Sequence, residues 1–318
     1  MRIAILPTGR MECKALPSAL SRLFNEEGKE KEPVHVFYAL LEGQEEPAHS
    51  FTSCDVNRIR GKKNNADKLL ELAAAEALGD SRTGKEPADL VVILDDLELD
   101  NLNQPQDVIA VLRESAERFL VLQRYNQRTH ARYSDVLRNR VSFHIAKPMI
   151  EGWLFGDPNG PARAGVPAHK LPPNIIDSDP EDFQTNDPAY LADDGQLCTC
   201  WRGLPVEKQK RATPLWLKKK ARRERNPKAY LSWLCHEPSE DTCSSYTELG
   251  GGASALSQLD WGTLLGKPAH ARFVRSMLTD IASALGLCAL VEKKFPGDLA
   301  PQTEMKTSLS ANWILRNL

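Results

Sequence analysis

No window of the sequence approaches the roughly 20 consecutive apolar residues of a membrane-spanning helix, and the apolar part of the opening MRIAILPTGR is too short for a secretory signal. The expectation is a cytoplasmic protein without membrane contact. An excess of charge of either sign is also missing. With 41 Lys and Arg against 43 Asp and Glu, overall charge selects no class of partner, and only its distribution can. The seven cysteines, at 13, 54, 198, 200, 235, 243 and 288, are odd in number and scattered, which speaks against a disulfide framework and for reduced thiols. Cys198, Cys200, Cys235, His236 and Cys243 offer enough ligands for a zinc ion on paper. The single residue between Cys198 and Cys200 departs from the two- to four-residue gap of a zinc knuckle, so separately packed thiols are the expectation. There is no histidine cluster and no internal repeat.

The most informative stretch that is present runs from Val91 to Asp100, VVILDDLELD. Together with Leu90 it forms an unbroken apolar run that passes directly into Asp95, Asp96, Glu98 and Asp100. Such a run fits a strand buried on both faces of a parallel sheet. The acids then fall at the strand's carboxyl end, where open α/β sheets bind ligands. Carboxylates that close repel one another unless solvent or a cation relieves them. Taken alone, the stretch reads equally well as a helix cap, because aspartate also satisfies free amides and the positive end of a helix dipole.

At 318 residues the chain is long enough for one large domain or two smaller ones. Arg2 to Leu6 predicts a short buried strand, and the apolar stripe from Ala15 to Phe24 predicts a helix, with Glu12 in the loop or helix start between them. Val34 to Tyr38 predicts a second strand, Asn64 to Leu78 a helix, and Pro105 onward a long amphipathic helix. Val141 to Ile145 predicts another strand, followed by a short helix within Lys147 to Asp157. The alternation implies an α/β domain over 1–157 with a mainly parallel sheet flanked by helices. Proline-rich 158–200 reads as an irregular insertion or linker. Residues 201–318 read as a basic, mainly helical region, with helical spacing at Phe273, Met277, Ile281 and Leu285.

Glu12, Asp96, Glu98 and Glu151 each follow a predicted parallel strand, so neighbouring strands would gather them round one crevice, with Asp100 close behind. Hard oxygen ligands of this kind suit magnesium or manganese in phosphoryl chemistry. Asp96 and Glu98 project to one side if the extended conformation continues, and Asp95 to the other. Lys147 is a candidate for neutralising charge on a phosphate or leaving oxygen; a surface lysine beside a helix start is its plainer reading. Lys218, Lys219, Lys220, Arg222 and Arg223 lie in a basic segment able to contact nucleic-acid phosphates, with Trp216, Tyr230 and Trp233 interleaved either to stack bases or to pack.

The segments Ile5-Leu6-Pro7-Thr8-Gly9-Arg10-Met11-Glu12, Asp96-Leu97-Glu98 and Ile150-Glu151-Gly152-Trp153-Leu154-Phe155-Gly156-Asp157, in that order, resemble the Toprim fold of topoisomerases, bacterial primases and OLD-family nucleases. The likeness is nearest to stand-alone prokaryotic Toprim-related proteins of unknown function, whose pattern also includes segments like Asn226 to Leu231 and Tyr246 to Trp261. The resemblance implies metal ligation by Glu12, Asp96, Glu98 and Glu151, with magnesium or manganese as cofactor. It further implies a nuclease or related phosphotransfer enzyme acting on nucleic acid, a phage-defence effector role and, by analogy, an ATPase partner. One departure stands out: the first Toprim motif places a glutamate directly before the glycine, and here Thr8 precedes Gly9. That substitution keeps a second expectation open, a non-catalytic Toprim-like binding or regulatory subunit with an altered metal site. A third reading, a small-molecule phosphohydrolase, predicts activity on nucleotides or model phosphate esters.

Overall fold

The computed structural model of the chain describes residues 1–25, 35–38, 47–172, 178–195, 199–211, 213–218, 222–238, 243–244, 246–287 and 313–318. At its centre is a four-stranded sheet built from β1 (Arg2–Pro7), β2 (His35–Tyr38), β3 (Leu90–Asp96) and β4 (Val141–Ala146), in the order β2-β1-β3-β4. Every pairing is parallel, with Ile5 opposite Val92 and Leu94 opposite His144. The period of two along each strand sends Ile3, Ile5, Val92 and Leu94 into one core and Ala4, Leu6, Val91 and Ile93 into the other. Both faces are covered, which is why these strands read as continuous apolar runs.

The helices follow in chain order as α1 (Arg10–Asn25), α2 (Asn65–Leu78), α3 (Pro105–Leu122), α4 (Gln127–Arg140), α5 (Glu151–Phe155), α6 (Gly160–Arg163) and α7 (Pro188–Ala192). Beyond them lie α8 (Thr199–Arg202), α9 (Val206–Arg211), α10 (Leu215–Lys218), α11 (Pro227–Leu234), α12 (Ala253–Ser257), α13 (Trp261–Leu264) and α14 (Arg272–Leu285). Their starts are written locally. Asn64 caps α2 in a full capping box with Asp67, and Asn226 accepts from the Ala229 amide and is followed by Pro227 at the first position of α11. The helical spacing from Ala253 to Leu287 is divided among α12, α13 and α14, and α4, which has only Val136 and Leu137 buried, carries little apolar periodicity.

One face of the sheet packs α2 and α3, and the other packs α1, α5, α11 and α12. Leu20, Trp153, Tyr190, Leu231 and Leu256 lie in a single core, so residues from 1–157, 158–200 and 201–318 are buried together. The segment expected to be an irregular linker thus supplies core anchors, Phe183 and Tyr190 among them. At the β4 edge, Arg316 donates its amide to the Val141 carbonyl (2.8 Å), and the Asn317 side chain satisfies both main-chain groups of Phe143 (3.0 and 2.7 Å). The terminal residues therefore take up the pairing capacity of an otherwise open strand edge.

Candidate functional site

The strand order creates a crevice. From β1 the chain runs to β2 on one side and returns to β3 on the other, so the segments leaving the carboxyl ends of β1 and β3 diverge at the point where the order reverses. Glu12 leaves β1 in the first turn of α1, one turn earlier than the apolar stripe predicts the helix to begin. Its carboxylate folds back over Gly9 so closely that a Cβ there would stand 2.2 Å from Glu12 Oε2. Asp96 closes β3, and its Oδ1 accepts from the Ile150 amide at 2.9 Å. Glu151 opens α5 and is buried, with Tyr246 donating to its Oε1 (3.3 Å) and Lys228 Nζ 3.5 Å away, while its Oε2 is buried without a hydrogen-bond partner.

These side chains sense one another. Burial, reinforced by the Glu151 charge, pushes the Glu12 carboxyl up to about 8. Asp96 is held well above the usual carboxylate range, first by burial and then by Glu12, Glu151 and Glu98. Lys228 on α11 supplies the opposing charge: Glu151 and Glu248 hold its ammonium above the ordinary lysine range despite burial, and it is ion-paired with Glu248. Tyr246 is raised by burial and by the same carboxylates, and its hydroxyl lies 3.2 Å from Met11 Sδ. Tyr246 and Glu248 reach the crevice through a single π-turn over Glu248–Gly252. Gly252 is required there, since a Cβ would meet the Tyr246 hydroxyl at 2.3 Å.

The remaining expected residues divide. Glu98 lies near enough for its charge to raise Asp96, although the extended path stops at Asp96 and Glu98 has a left-handed φ of 61°. Asp95 points the other way, accepting from the Thr8 hydroxyl and the Phe51 amide (3.3 Å). Asp100 is exposed on the turn beyond. Lys147 is placed differently from Lys228: its ammonium is ion-paired with Asp182 at 2.7 Å. Lys228 is the cation inside the cluster. In sequence it falls within the segment Asn226 to Leu231 of the resembled pattern, without a site role there.

In the basic segment, Lys218 and Arg222 are exposed, and Arg222 donates to the Leu99 carbonyl at 2.7 Å, beside the acidic turn. Lys219 and Lys220 lie outside the described residues. Arg223 has different surroundings. It is buried, donates to the carbonyls of Tyr190 and Asp193, and lies 5.0 Å from the centre of the Tyr190 ring. Arg223→Ala is expected to destabilise the protein by about 3 kcal/mol, because carbonyls are left unpaired at a buried site. Affinity for a nucleic-acid duplex is expected to stay unchanged; denaturant unfolding and a filter-binding titration check the two halves. Of the zinc candidates, Cys198 lies outside the described residues and Cys235 is buried with its Sγ 3.6 Å from the Ala164 carbonyl.

The carboxylate cluster ties stability to pH. A carboxyl whose folded pKa lies above its unfolded value binds the proton more tightly when folded. Its contribution is therefore present at acid pH and lost as pH rises through the window between the ordinary value of 4.5 and about 8. For buried Glu12 the loss is on the order of 5 kcal/mol, at about 1.4 kcal/mol per pH unit over that window. Glu181, pushed up to about 8 mainly by burial while it accepts from the Phe273 and Val274 amides, adds a parallel dependence. Denaturant midpoints between pH 5 and 9 are expected to fall with rising pH, and Glu12→Gln and Glu181→Gln should each remove part of the slope. A flat profile contradicts this reading.

Among the described residues, no group of three His, Cys, Asp or Glu side chains is placed to hold one metal ion. The donor chemistry nonetheless fits a hard cation. Glu12 and Glu151 are buried and Asp96 is partly buried, the Glu151 charge acts on both of the others, and Glu151 Oε2 has no partner. Magnesium in particular is ordinarily held by only one or two carboxylates plus water. Also among the described residues, no helix is long and apolar enough to cross a membrane. Compared with known proteins, the chain matches no protein-family profile, no curated protein and no solved structure.

Proposed function

We propose that the chain is a magnesium- or manganese-dependent phosphodiester hydrolase of the Toprim kind that acts on nucleic acid. One observation carries this reading: Glu12, Asp96 and Glu151, from three separate elements, lie close enough at the switch point of a parallel sheet for the Glu151 charge to raise both Glu12 and Asp96. A divalent ion held by Asp96 and Glu151, with Glu98 beside them, would supply Lewis-acid and water-activating chemistry. Glu12, with its carboxyl pushed up to about 8, carries a proton at neutral pH and is suited to donate it to a leaving oxygen. Lys228, a third exposed at the edge of the cluster, takes the charge-neutralising role first expected of Lys147. Arg222, anchored on the Leu99 carbonyl, sets positive charge beside the acidic turn, where a phosphate backbone would pass.

Incubation of supercoiled plasmid and of labelled single-stranded DNA and RNA with manganese or magnesium tests the proposal. Cleavage that disappears with EDTA supports it. Intact substrates, together with no metal binding by calorimetry, overturn it.

A non-catalytic regulatory subunit is the second reading, and Thr8 favours it. Where the Toprim pattern has a glutamate, the Thr8 hydroxyl is directed to Asp95, away from the cluster. Metal binding without cleavage of any substrate selects this reading. The ATPase partner and the phage-defence role rest on the Toprim resemblance alone.

A further inference from the structure

On the far side of α11 from the carboxylates lies a cavity of about 890 Å³, within the size range of small-ligand sites. Lys228 faces the acidic crevice, whereas Tyr230 and Trp233, two and five residues further along the same helix, line this second space. The aromatic wall is fixed in orientation. The Trp233 N–H donates to Asp193 (2.7 Å), Tyr230 lies parallel to Trp233 at 6.1 Å and 11°, and Tyr190 meets it edge-on at 5.5 Å. Trp233 is only half-buried, and it is a ring of this kind, held from behind, that offers a stacking surface at little ordering cost.

The rest of the lining is polar in a pattern that suits a nucleobase with a phosphate. Gln184 and Asn186 present exposed side-chain amides with both donors and acceptors, as the edge of a base requires, the Gln184 Oε1 already accepting a long bond from Arg225 (3.5 Å). Lys170 donates to the His236 carbonyl, and among the described residues no carboxylate is in ion-pair contact with it, so its charge remains for an anion. Asp187, the carboxylate in the lining, is occupied by the Ala189 and Tyr190 amides (2.9 and 3.2 Å) and the Tyr230 hydroxyl (3.0 Å).

We propose that this cavity binds a nucleoside monophosphate, with its base stacked on Trp233 and its phosphate at Lys170, either as a free nucleotide or as the terminal unit of a strand. The inference goes beyond the hydrolase reading and shares no residue with it.

Calorimetric titrations with AMP, adenosine and a hexanucleotide with and without a 5′-phosphate test it, with EDTA present so that cation binding at the carboxylates contributes nothing. AMP is expected to bind more tightly than adenosine. Trp233→Leu should weaken AMP about tenfold or more, the scale of one lost base stack, and Trp233→Phe much less. Lys170→Gln should weaken AMP while leaving adenosine unchanged, with denaturant unfolding of the variant checking that the loss of its bond to the His236 carbonyl leaves the fold intact. Tighter binding of the phosphorylated hexamer than of AMP assigns the site to strand ends, and the reverse order assigns it to free nucleotide. Failure of AMP and the hexamer to bind at millimolar concentration, or affinities unaltered by Lys170→Gln and Trp233→Leu, overturns the proposal.

Discussion

Replacing Glu12 with glutamine is expected to have two opposite consequences: the metal-free protein becomes more stable at pH 8, and cleavage falls by about a hundredfold or more. The stability gain follows from the position of the group. Glu12 is buried, packed on Gly9, and repelled by Glu151 and Glu248 with Lys228 only partly offsetting them. An amide of the same shape removes a buried like-charge interaction without opening a cavity. At about 2 to 4 °C per kcal/mol for a chain of this size, the melting temperature should rise by about 5 °C or more. The loss of activity follows from the same change, since glutamine neither carries a transferable proton nor attracts a cation, and general acid–base catalysis alone accounts for about a hundredfold. Asp96→Asn should behave alike in activity, but gain less stability, because Asp96 also accepts the Ile150 amide. Differential scanning calorimetry and plasmid nicking on the same preparations check both halves. A variant that loses stability and activity together would mark Glu12 as a structural residue.

The second large effect concerns the support beneath Glu151. Two residues along α5, Trp153 is fully buried, packed 6.2 Å from the Trp261 ring, whose own N–H is 3.3 Å from the Ala19 carbonyl of α1. The two indoles together therefore join α5, α13 and α1, the elements that carry or flank Glu151 and Glu12. Trp153→Ala is expected to destabilise by about 3 to 5 kcal/mol through lost burial and the cavity left behind. Trp153→Phe should cost less than half of that, because the Trp153 N–H has no partner to lose. Urea unfolding monitored by circular dichroism measures both. Equal losses for Ala and Phe would show that shape, rather than buried volume, sets the cost.

Much of the sheet was legible because its signals are local. A strand covered on both faces must be apolar at successive positions, and Leu90 to Leu94 can be read as such without a partner in view. The acids at its end, Glu12 after the first strand and Glu151 after the last, became a candidate site once parallel neighbours were inferred. Lys228, Tyr246 and Glu248 were not legible as site residues. They reach the crevice from more than 75 positions beyond Glu151, through a capped helix and a glycine-rich π-turn whose role depends on tertiary contact. The surroundings of Arg223 were hidden for a related reason. A guanidinium in a basic run looks solvated in sequence, but carbonyls left open by neighbouring turns can draw it inward. Helix α4 was silent because a helix with two buried residues has no stripe to read.

Calorimetric titration of manganese into the wild-type protein and Asp96→Asn at pH 7.5 tests the central claim most directly. A site made by the converging carboxylates predicts saturable binding to the wild type that Asp96→Asn weakens by about a hundredfold or abolishes. No binding by the wild type, or equal binding by both proteins, would contradict it.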